Sequence, residues 1–402
     1  MRLKIAVVVH GRFHAFDLAR ALLARGHDVV VFTNYPRWAA ARFGLPHERV
    51  KSFWVHGALT RAARRLHAAG VLRSGDGWAH PVFGRWAWAR VRRERWDVVH
   101  AWSGVAEETL RGWARRPGAC VLMRGSAHVR AQARLLEEEE RRTGVALDRP
   151  SSWMIAREER EYALAGAIAV PSSFAYETFV REGVPAQKLW LLPLGVSVDG
   201  FRPGPEVVDA RCARILSGQP IRVLNVGTFS FQKGMWDMAA AIRELRGDRF
   251  EFRFVGPVAP EAARLSGELS RAATFVPKRP QRELPLAYAW GDVFTLPTIQ
   301  DGFQTVLGQA AASALPILTT PHGAGRDLVL EGLNGWVVPP RAPGALIERL
   351  RWCDAHRAEL AALVRRMYER HQPRDWAEVA ADFEAMVLEH ADAGARDAVS
   401  DG

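Results

Sequence analysis

Ile221-Arg-Val-Leu-Asn-Val226-Gly227-Thr-Phe-Ser-Phe-Gln-Lys233-Gly234-Met235 is the stretch that decides the fold. Ile221–Val226 suits a strand buried on both faces, Gly227–Gly234 is a loop, and Met235–Leu245 carries apolar residues at helical spacing. Phe252–Val255 follows as the next strand. The unit is βαβ, so a parallel sheet is expected. A glycine in such a turn lets the backbone approach a ligand closely. The helix start offers N–H groups at a positive dipole end, and Lys233 adds a full charge. A phosphate or diphosphate suits that combination. The spacing matches neither a P-loop nor a GxGxxG dinucleotide turn. Taken alone, a βα turn with a glycine and an exposed lysine is also structurally ordinary.

The same pattern opens the chain. Lys4–Val9 is a continuous apolar strand, His10-Gly11-Arg12 a loop, and Phe16, Leu18, Ala19, Leu22 and Leu23 recur at helical spacing up to Gly26. Val29–Phe32 is the next strand. Two such starts predict an α/β protein of two doubly wound domains. Their join falls between Leu192-Pro193-Leu194-Gly195 and Pro203-Gly204-Pro205. Further on, Val293–Leu296, Pro316–Thr319 and Gly335–Val338 read as strands and Thr305–Ser313 as a helix. Gly344–Arg370 and Asp375–His390 read as helices separated by Pro373, and a small, polar, flexible tail follows from Ala391.

Composition sets the outer limits. The 402 residues include 55 Lys+Arg and 44 Asp+Glu, a net charge of +11. With 48% hydrophobic and 25% charged residues the balance is globular, which argues against disorder. Three scattered cysteines exclude a disulfide scaffold and a CxxC metal site, and they fit a reducing compartment. No apolar run approaches the ~18 residues that span a bilayer. Met1-Arg2-Leu3-Lys4 leads into an apolar run too short for a signal-peptide core. The expectation is a cytoplasmic protein, or one held on the inner face of the membrane.

The basic excess is localised. Nine arginines and two acidic residues, Asp76 and Glu94, lie between Arg61 and Arg95, and seven of the fifteen tryptophans lie between Trp38 and Trp102. Arginine with interfacial tryptophan suits an anionic membrane surface. It also suits nucleic acid, or simply a solvated arginine-rich face.

Three more strand ends carry chemistry-bearing residues. Asp301-Gly-Phe-Gln-Thr-Val-Leu-Gly-Gln309 follows the strand Val293–Leu296, so Asp301 and Gln309 can face one crevice at the carboxyl edge of the sheet. Equally, Asp301 can be a helix cap and Gln309 a surface residue. Arg124-Gly-Ser-Ala-His128 follows Cys120–Met123; a histidine there can polarise a hydroxyl or serve structure alone. Thr320-Pro-His322-Gly323-Ala-Gly325-Arg326, then Glu331-Gly-Leu-Asn-Gly335, is a glycine loop and a tight turn, either an anion nest or turn chemistry.

Taken in order, Gly227…Lys233-Gly234, Asp301-Gly302-Phe303, Gly323…Gly325 and Gly332-Leu-Asn-Gly335-Trp resemble the family-4 glycosyltransferases. Val170-Pro-Ser-Ser-Phe174, Val184-Pro185 and Leu192-Pro-Leu-Gly-Val196 extend the likeness, which is strongest from Val170 to Pro340. The resemblance implies a GT-B fold: two Rossmann-like domains facing a cleft. Residues 1–195 with a returning helix at 375–392 would hold the acceptor, 196–374 would hold a nucleotide diphosphate sugar, and 393–402 would be the tail. It implies retaining, metal-independent transfer to a hydroxyl of a glycan or lipid-linked acceptor, in the manner of envelope polysaccharide synthesis. No cofactor and no nucleic-acid partner are expected.

By the same resemblance Lys233 binds the donor diphosphate. The family often has arginine where this chain has Thr228, so one diphosphate charge contact is missing here or is supplied by another residue such as Arg326 or Arg12. Asp301 lies beside the transferred sugar and Gln309 takes the ribose hydroxyls through its amide oxygen. Gly302, Phe303, Gln304 and Thr305 meet the donor at the loop. Gly11 and Gly227 lie near the diphosphate, Lys278 by the base, and His128 near the reacting centre. The resemblance leaves open a non-catalytic relative that binds a sugar nucleotide, and a nucleotide-sugar 2-epimerase of the same architecture.

Overall fold

The computed structural model describes residues 1–68, 75–198, 200–370 and 372–400. Among these, thirteen strands form two sheets that are parallel throughout. The first contains β1 (Lys4–Val9), β2 (Asp28–Thr33), β3 (Val50–Ser52), β4 (Val98–Trp102), β5 (Ala119–Met123), β6 (Ala167–Val170) and β7 (Leu189–Leu191), in the order β3-β2-β1-β4-β5-β6-β7. The second contains β8 (Ile221–Val226), β9 (Phe250–Val255), β10 (Ala273–Val276), β11 (Val293–Leu296), β12 (Ile317–Thr319) and β13 (Gly335–Val337), in the order β10-β9-β8-β11-β12-β13. In each, the winding reverses at the central pair, β1 with β4 or β8 with β11. Ligands of such sheets bind in the crevice outside the carboxyl ends of that pair.

The continuous apolar runs follow from burial on both faces. In β1, Ile5, Val7 and Val9 enter one core while Ala6 and Val8 enter another on the opposite face. In the second domain Val223, Leu224, Val226, Phe294 and Leu296 join a single large cluster with the flanking helices. Fully burying each such side chain contributes about 1.5–3 kcal/mol.

The chain crosses between domains twice. It leaves the first sheet after β7, and the helix Pro205–Leu216 opens the second part. It returns at Arg374, whose carbonyl accepts from Val196 N–H at 2.9 Å, so the two crossings run side by side. The last helix, Trp376–Ser400, lays Trp376, Val379, Ala380, Phe383 and Val387 into the first domain's core beside Phe16 and Leu18. The residues expected as a flexible tail continue this helix to Ser400. Residues 401–402, residue 199 within the expected join, and 69–74 within the Arg/Trp segment lie outside the described residues.

One expected helix is two. Pro343–Ala355 and Arg357–Arg370 are separated at His356, whose ring folds back on Trp352, stacked at 4.8 Å between centroids. The Arg/Trp segment forms the helices Trp54–Ala68 and Asp76–Val91.

The domains meet face to face. Ser172 Oγ donates to the Gly302 carbonyl at 2.7 Å, and Gln300 Nε2 donates to Ser126 Oγ at 2.7 Å. On the flank, Arg341 reaches Glu138, Glu139 and the Leu135 carbonyl at 2.8–2.9 Å, and Arg142 pairs with Asp237.

Candidate active site

Two loops at the second sheet's switch point are zipped together. The Gln232 carbonyl accepts from Ile299 N–H and Gln300 N–H at 3.0 and 3.3 Å, and Gln232 Nε2 donates to the Gln300 carbonyl at 3.0 Å. Gly234 allows the approach: its φ is +76°, and a Cβ there would collide with the Pro297 carbonyl. Ser230 Oγ accepts from Lys233 N–H at 3.3 Å and fixes the short turn. In this setting Lys233 Nζ pairs with Asp301 Oδ2, while Asp301 Oδ1 accepts from Gly302 N–H at 2.8 Å. Both side chains are about one-fifth exposed, at 23% and 22%, so the pair is accessible yet shielded enough for its charge to matter. Gly302 in turn touches the first domain, where a Cβ would collide with the Gly125 carbonyl.

Beside this junction lies a cleft of about 750 Å³ walled by both domains. Gln281, Phe303, Thr305 and Gln309 come from the second domain, Arg12, Phe13, His14, Arg20, Arg42 and Phe43 from the first, and Leu194–Ser197 with Trp376 from the crossings. The helix Thr305–Ala312 begins at this wall without a side-chain cap, so the N–H groups of Thr305 and Val306 remain for an anion, while Leu307 N–H bonds the Gln304 carbonyl at 3.0 Å. Three arginines face one acid, Asp17, which Arg20 engages at 3.1 Å. Arg12 lies over the Phe43 ring at 4.2 Å. The surplus positive charge favours an anionic ligand.

The structure sorts the expected residues. Lys233, Asp301 and Gly302 come together at the domain junction, and Phe303, Thr305 and Gln309 line the cleft. Gly11 precedes the cleft residue Arg12 and does not itself line the cleft; its N–H donates to Asn34 Oδ1 at 2.7 Å and its carbonyl accepts from Thr33 Oγ1 at 2.7 Å. Gln304 is buried and turned inward. Its amide donates to the His322 carbonyl and accepts from Ala324 N–H, both at 2.7 Å, so it braces the glycine loop. Gln309 is tied to Tyr288, whose hydroxyl donates to the Gln309 amide oxygen at 2.9 Å. The acceptor atom expected to take the ribose is therefore engaged within the protein.

Gly227 and Thr228 do not line the cleft. Gly227 N–H bonds the Val255 carbonyl at 3.0 Å, and the buried Phe229 draws the loop towards β9. Lys278 is exposed outside the cleft, which the chain reaches three residues later at Gln281. Arg326 pairs with Glu177 across the domain boundary at 3.1 Å, so of the two arginines expected to replace the charge missing at Thr228, only Arg12 lines the cleft. His128 is not brought to the cleft either. It caps the helix Val129–Thr143 by accepting from Arg130 N–H at 3.3 Å, and its ring packs 4.9 Å from both Tyr162 and Phe179. Burial lowers its pKa to about 4.

The sequence reading missed His14, Arg20, Arg42, Phe43 and Gln281. They come from helices and loop turns that only the fold makes neighbours. Among the described residues no three His, Cys, Asp or Glu side chains group as a metal site, and no helix is long and apolar enough to cross a membrane.

With a GT-B arrangement and this charged, two-domain cleft in hand, known proteins agree. The family model described as Glycosyltransferase Family 4 matches residues 12–199, and that described as Glycosyl transferases group 1 matches 220–354. The chain carries both of these glycosyltransferase domains, the first of the Family 4 type. It is 27% identical over 204 residues to the putative colanic acid biosynthesis glycosyltransferase WcaL of Escherichia coli K12, covering 47% of this chain and 48% of that protein. The chain thus spans about half the length of such curated relatives. Sucrose-phosphate synthase from Thermosynechococcus elongatus shares the fold with a TM-score of 0.71 at 20% identity, over 98% of this chain and 100% of that one. HepE of Anabaena, solved in complex with UDP-glucose, shares it with a TM-score of 0.69 at 13% identity, over 96% and 100%.

Proposed function

We propose that the protein transfers a sugar from a nucleotide diphosphate donor to a hydroxyl of a glycan or lipid-linked acceptor, with retention at the anomeric carbon and without a metal or other cofactor. The observation that carries this reading is the Lys233–Asp301 pair, set where the second domain's switch-point loops face the first domain. The second domain would hold the donor and the first the acceptor.

Breaking the bond from the anomeric carbon to the diphosphate leaves an oxocarbenium-like sugar and a leaving group that gains negative charge. Lys233 and the first turn of the helix Thr305–Ala312 are suited to stabilise that charge. Arg12 would add to it from the opposite wall. The leaving diphosphate then takes the acceptor's proton on the same face of the ring, so retention needs no protein nucleophile. Asp301, beside the sugar, favours the positive charge that develops on the ring.

A membrane-held acceptor agrees with the first domain's surface. Trp96 and Trp102 are buried, but Trp38, Trp54 and Trp78 are exposed, and Trp54, Val55 and Leu59 share a helix with Arg61 and Arg65. Such a face suits the interface of an anionic bilayer at its cytoplasmic surface. The name of WcaL, from colanic acid biosynthesis, supports envelope polysaccharide as the setting. Slow hydrolysis of one nucleotide sugar from a panel of UDP, GDP and ADP donors, by protein shown to be folded, tests the reading. Absence of hydrolysis and binding for all of them rejects it.

A further inference from the structure

Arg341 holds a backbone conformation that few arginines adopt. Its φ is +58°, in the left-handed region where a side chain crowds its own backbone. Pro339, Pro340 and Pro343 flank it and stiffen the loop that follows β13. Strain of this kind persists where the surrounding structure over-determines it, and it marks places with a use. Here the side chain crosses to the first domain and ends on the helix Val129–Thr143. Its Nε donates to Glu139 Oε2 at 2.9 Å, its Nη1 to Glu138 Oε2 at 2.8 Å and its Nη2 to the Leu135 carbonyl at 2.9 Å.

The contact continues as a network. Glu139 is buried and also accepts from Arg142 Nη1 at 3.2 Å, one turn further along the same helix. Arg142 then reaches back into the second domain and grips the buried Asp237 with both terminal nitrogens, Nη1 donating to Oδ2 at 3.2 Å. Taken in the order Arg341, Glu139, Arg142, Asp237, two guanidiniums and two carboxylates alternate in sign and cross the domain boundary twice. Both arginines are a quarter exposed, at 25%, so water reaches them when the domains part. On parting, Glu139 keeps Arg142 on its own helix and is not left as a lone buried charge.

The network is tied to the candidate site. Asp237 lies in the first turn of the helix Met235–Glu244, and its N–H donates at 3.1 Å to the carbonyl of Gly234, the residue after Lys233. The helix that carries Glu139 and Arg142 starts three residues after Ser126, which accepts from Gln300, the neighbour of Asp301. One helix of the first domain therefore meets the Asp301 loop at its start and the Lys233 turn at its end. We propose that Arg341 is a positioning residue: with Glu139, Arg142 and Asp237 it forms a releasable latch that sets the Lys233 turn and the Asp301 loop against the first domain for transfer. The assignment rests on the glycosyl-transfer reading above.

The test uses Arg341→Gly, which removes the side chain and relieves the left-handed backbone, and Arg341→Lys, which keeps a charge but cannot engage all three partners. Circular dichroism melts establish that both are folded. X-ray scattering without ligand should show Arg341→Gly as a more open particle than wild type. UDP-glucose, GDP-mannose and ADP-glucose are titrated into wild type, and the donor that binds is followed for hydrolysis. In Arg341→Gly its kcat should fall roughly 10- to 100-fold, the scale of a small misplacement of reacting groups. Affinity for the free nucleoside diphosphate, a ligand of the second domain, should stay within about twofold, and Arg341→Lys should recover part of the kcat. An unchanged scattering curve overturns the latch. A more open particle with unchanged kcat overturns its part in turnover. Nucleoside diphosphate affinity that falls in step with kcat makes Arg341 a support of the second domain alone and overturns the assignment. Wild-type protein that binds no donor overturns the transfer reading and the role in turnover with it, whereas an open Arg341→Gly particle would still support the latch.

Discussion

Lys233 and Asp301 form an ion pair between the loops that leave β8 and β11, the two strands at which the second sheet reverses its winding. A lysine so engaged is shared when a diphosphate arrives. Asp301→Asn removes the competitor while keeping the bond to Gly302 N–H. It should tighten nucleoside diphosphate binding a few-fold, the scale of a partly exposed pair. Donor hydrolysis should fall roughly 100-fold, the scale of one well-placed charged group. Titration and hydrolysis on the same preparation separate the two effects, and weaker diphosphate binding would contradict the sharing.

The zipped loops depend on Gly234. With φ at +76° and the Pro297 carbonyl against it, Gly234→Ala meets both backbone strain and a collision. A cost of about 3 kcal/mol is expected. That lowers the melting temperature by roughly 6–12 °C for a domain of this size. A melt within two degrees of wild type, outside the roughly 6–12 °C range, would mean that the loops separate easily.

Gly302→Ala tests the contact between domains rather than the stability of either. Its added methyl would strike the Gly125 carbonyl, and the domains can relieve the clash by parting. The variant should scatter X-rays as a more open particle and hydrolyse donor at least tenfold more slowly, a loss of about 1.4 kcal/mol in transition-state stabilisation. An unchanged scattering curve would show that local movement absorbs the methyl.

Acid should weaken the first domain. Burial holds the pKa of His14 and His128 near 4 and that of His100 near 3, all below the ordinary value of 6.5. Between pH 6.5 and the folded values the unfolded chain binds more protons, so stability rises with pH there and is lost on acidification. Each ring contributes up to about 1.4 kcal/mol per pH unit across that window. His100 packs against Trp102 and Phe383 in the core. His100→Leu should therefore flatten the fall in melting temperature between pH 6.5 and 4. An unchanged slope would remove His100 from the account.

Much of the fold is legible because its strands are buried on both faces. Ile221–Val226 and Val293–Leu296 have the bounds that their apolar runs predict. Helix ends were less legible: the stop at His356 depends on its contact with Trp352, which no local propensity records. At the site, residues carried on strand-end loops of the second domain, Lys233, Asp301 and Phe303, can be placed from motif order alone. His128 and Arg326 are not at the cleft because their partners, Tyr162 with Phe179 and Glu177, come from segments distant in sequence. His14 carries no local signal. Its position depends on Trp376, which arrives from the far end of the chain.

The central claim is that Lys233 holds the leaving diphosphate of a nucleotide sugar. Its most direct test is calorimetric titration of the bound donor's nucleoside diphosphate into wild-type protein and Lys233→Ala, both verified as folded. The account predicts clear binding by wild type and a loss of at least tenfold in Lys233→Ala, with donor hydrolysis abolished. Equal affinity in the two proteins would contradict it.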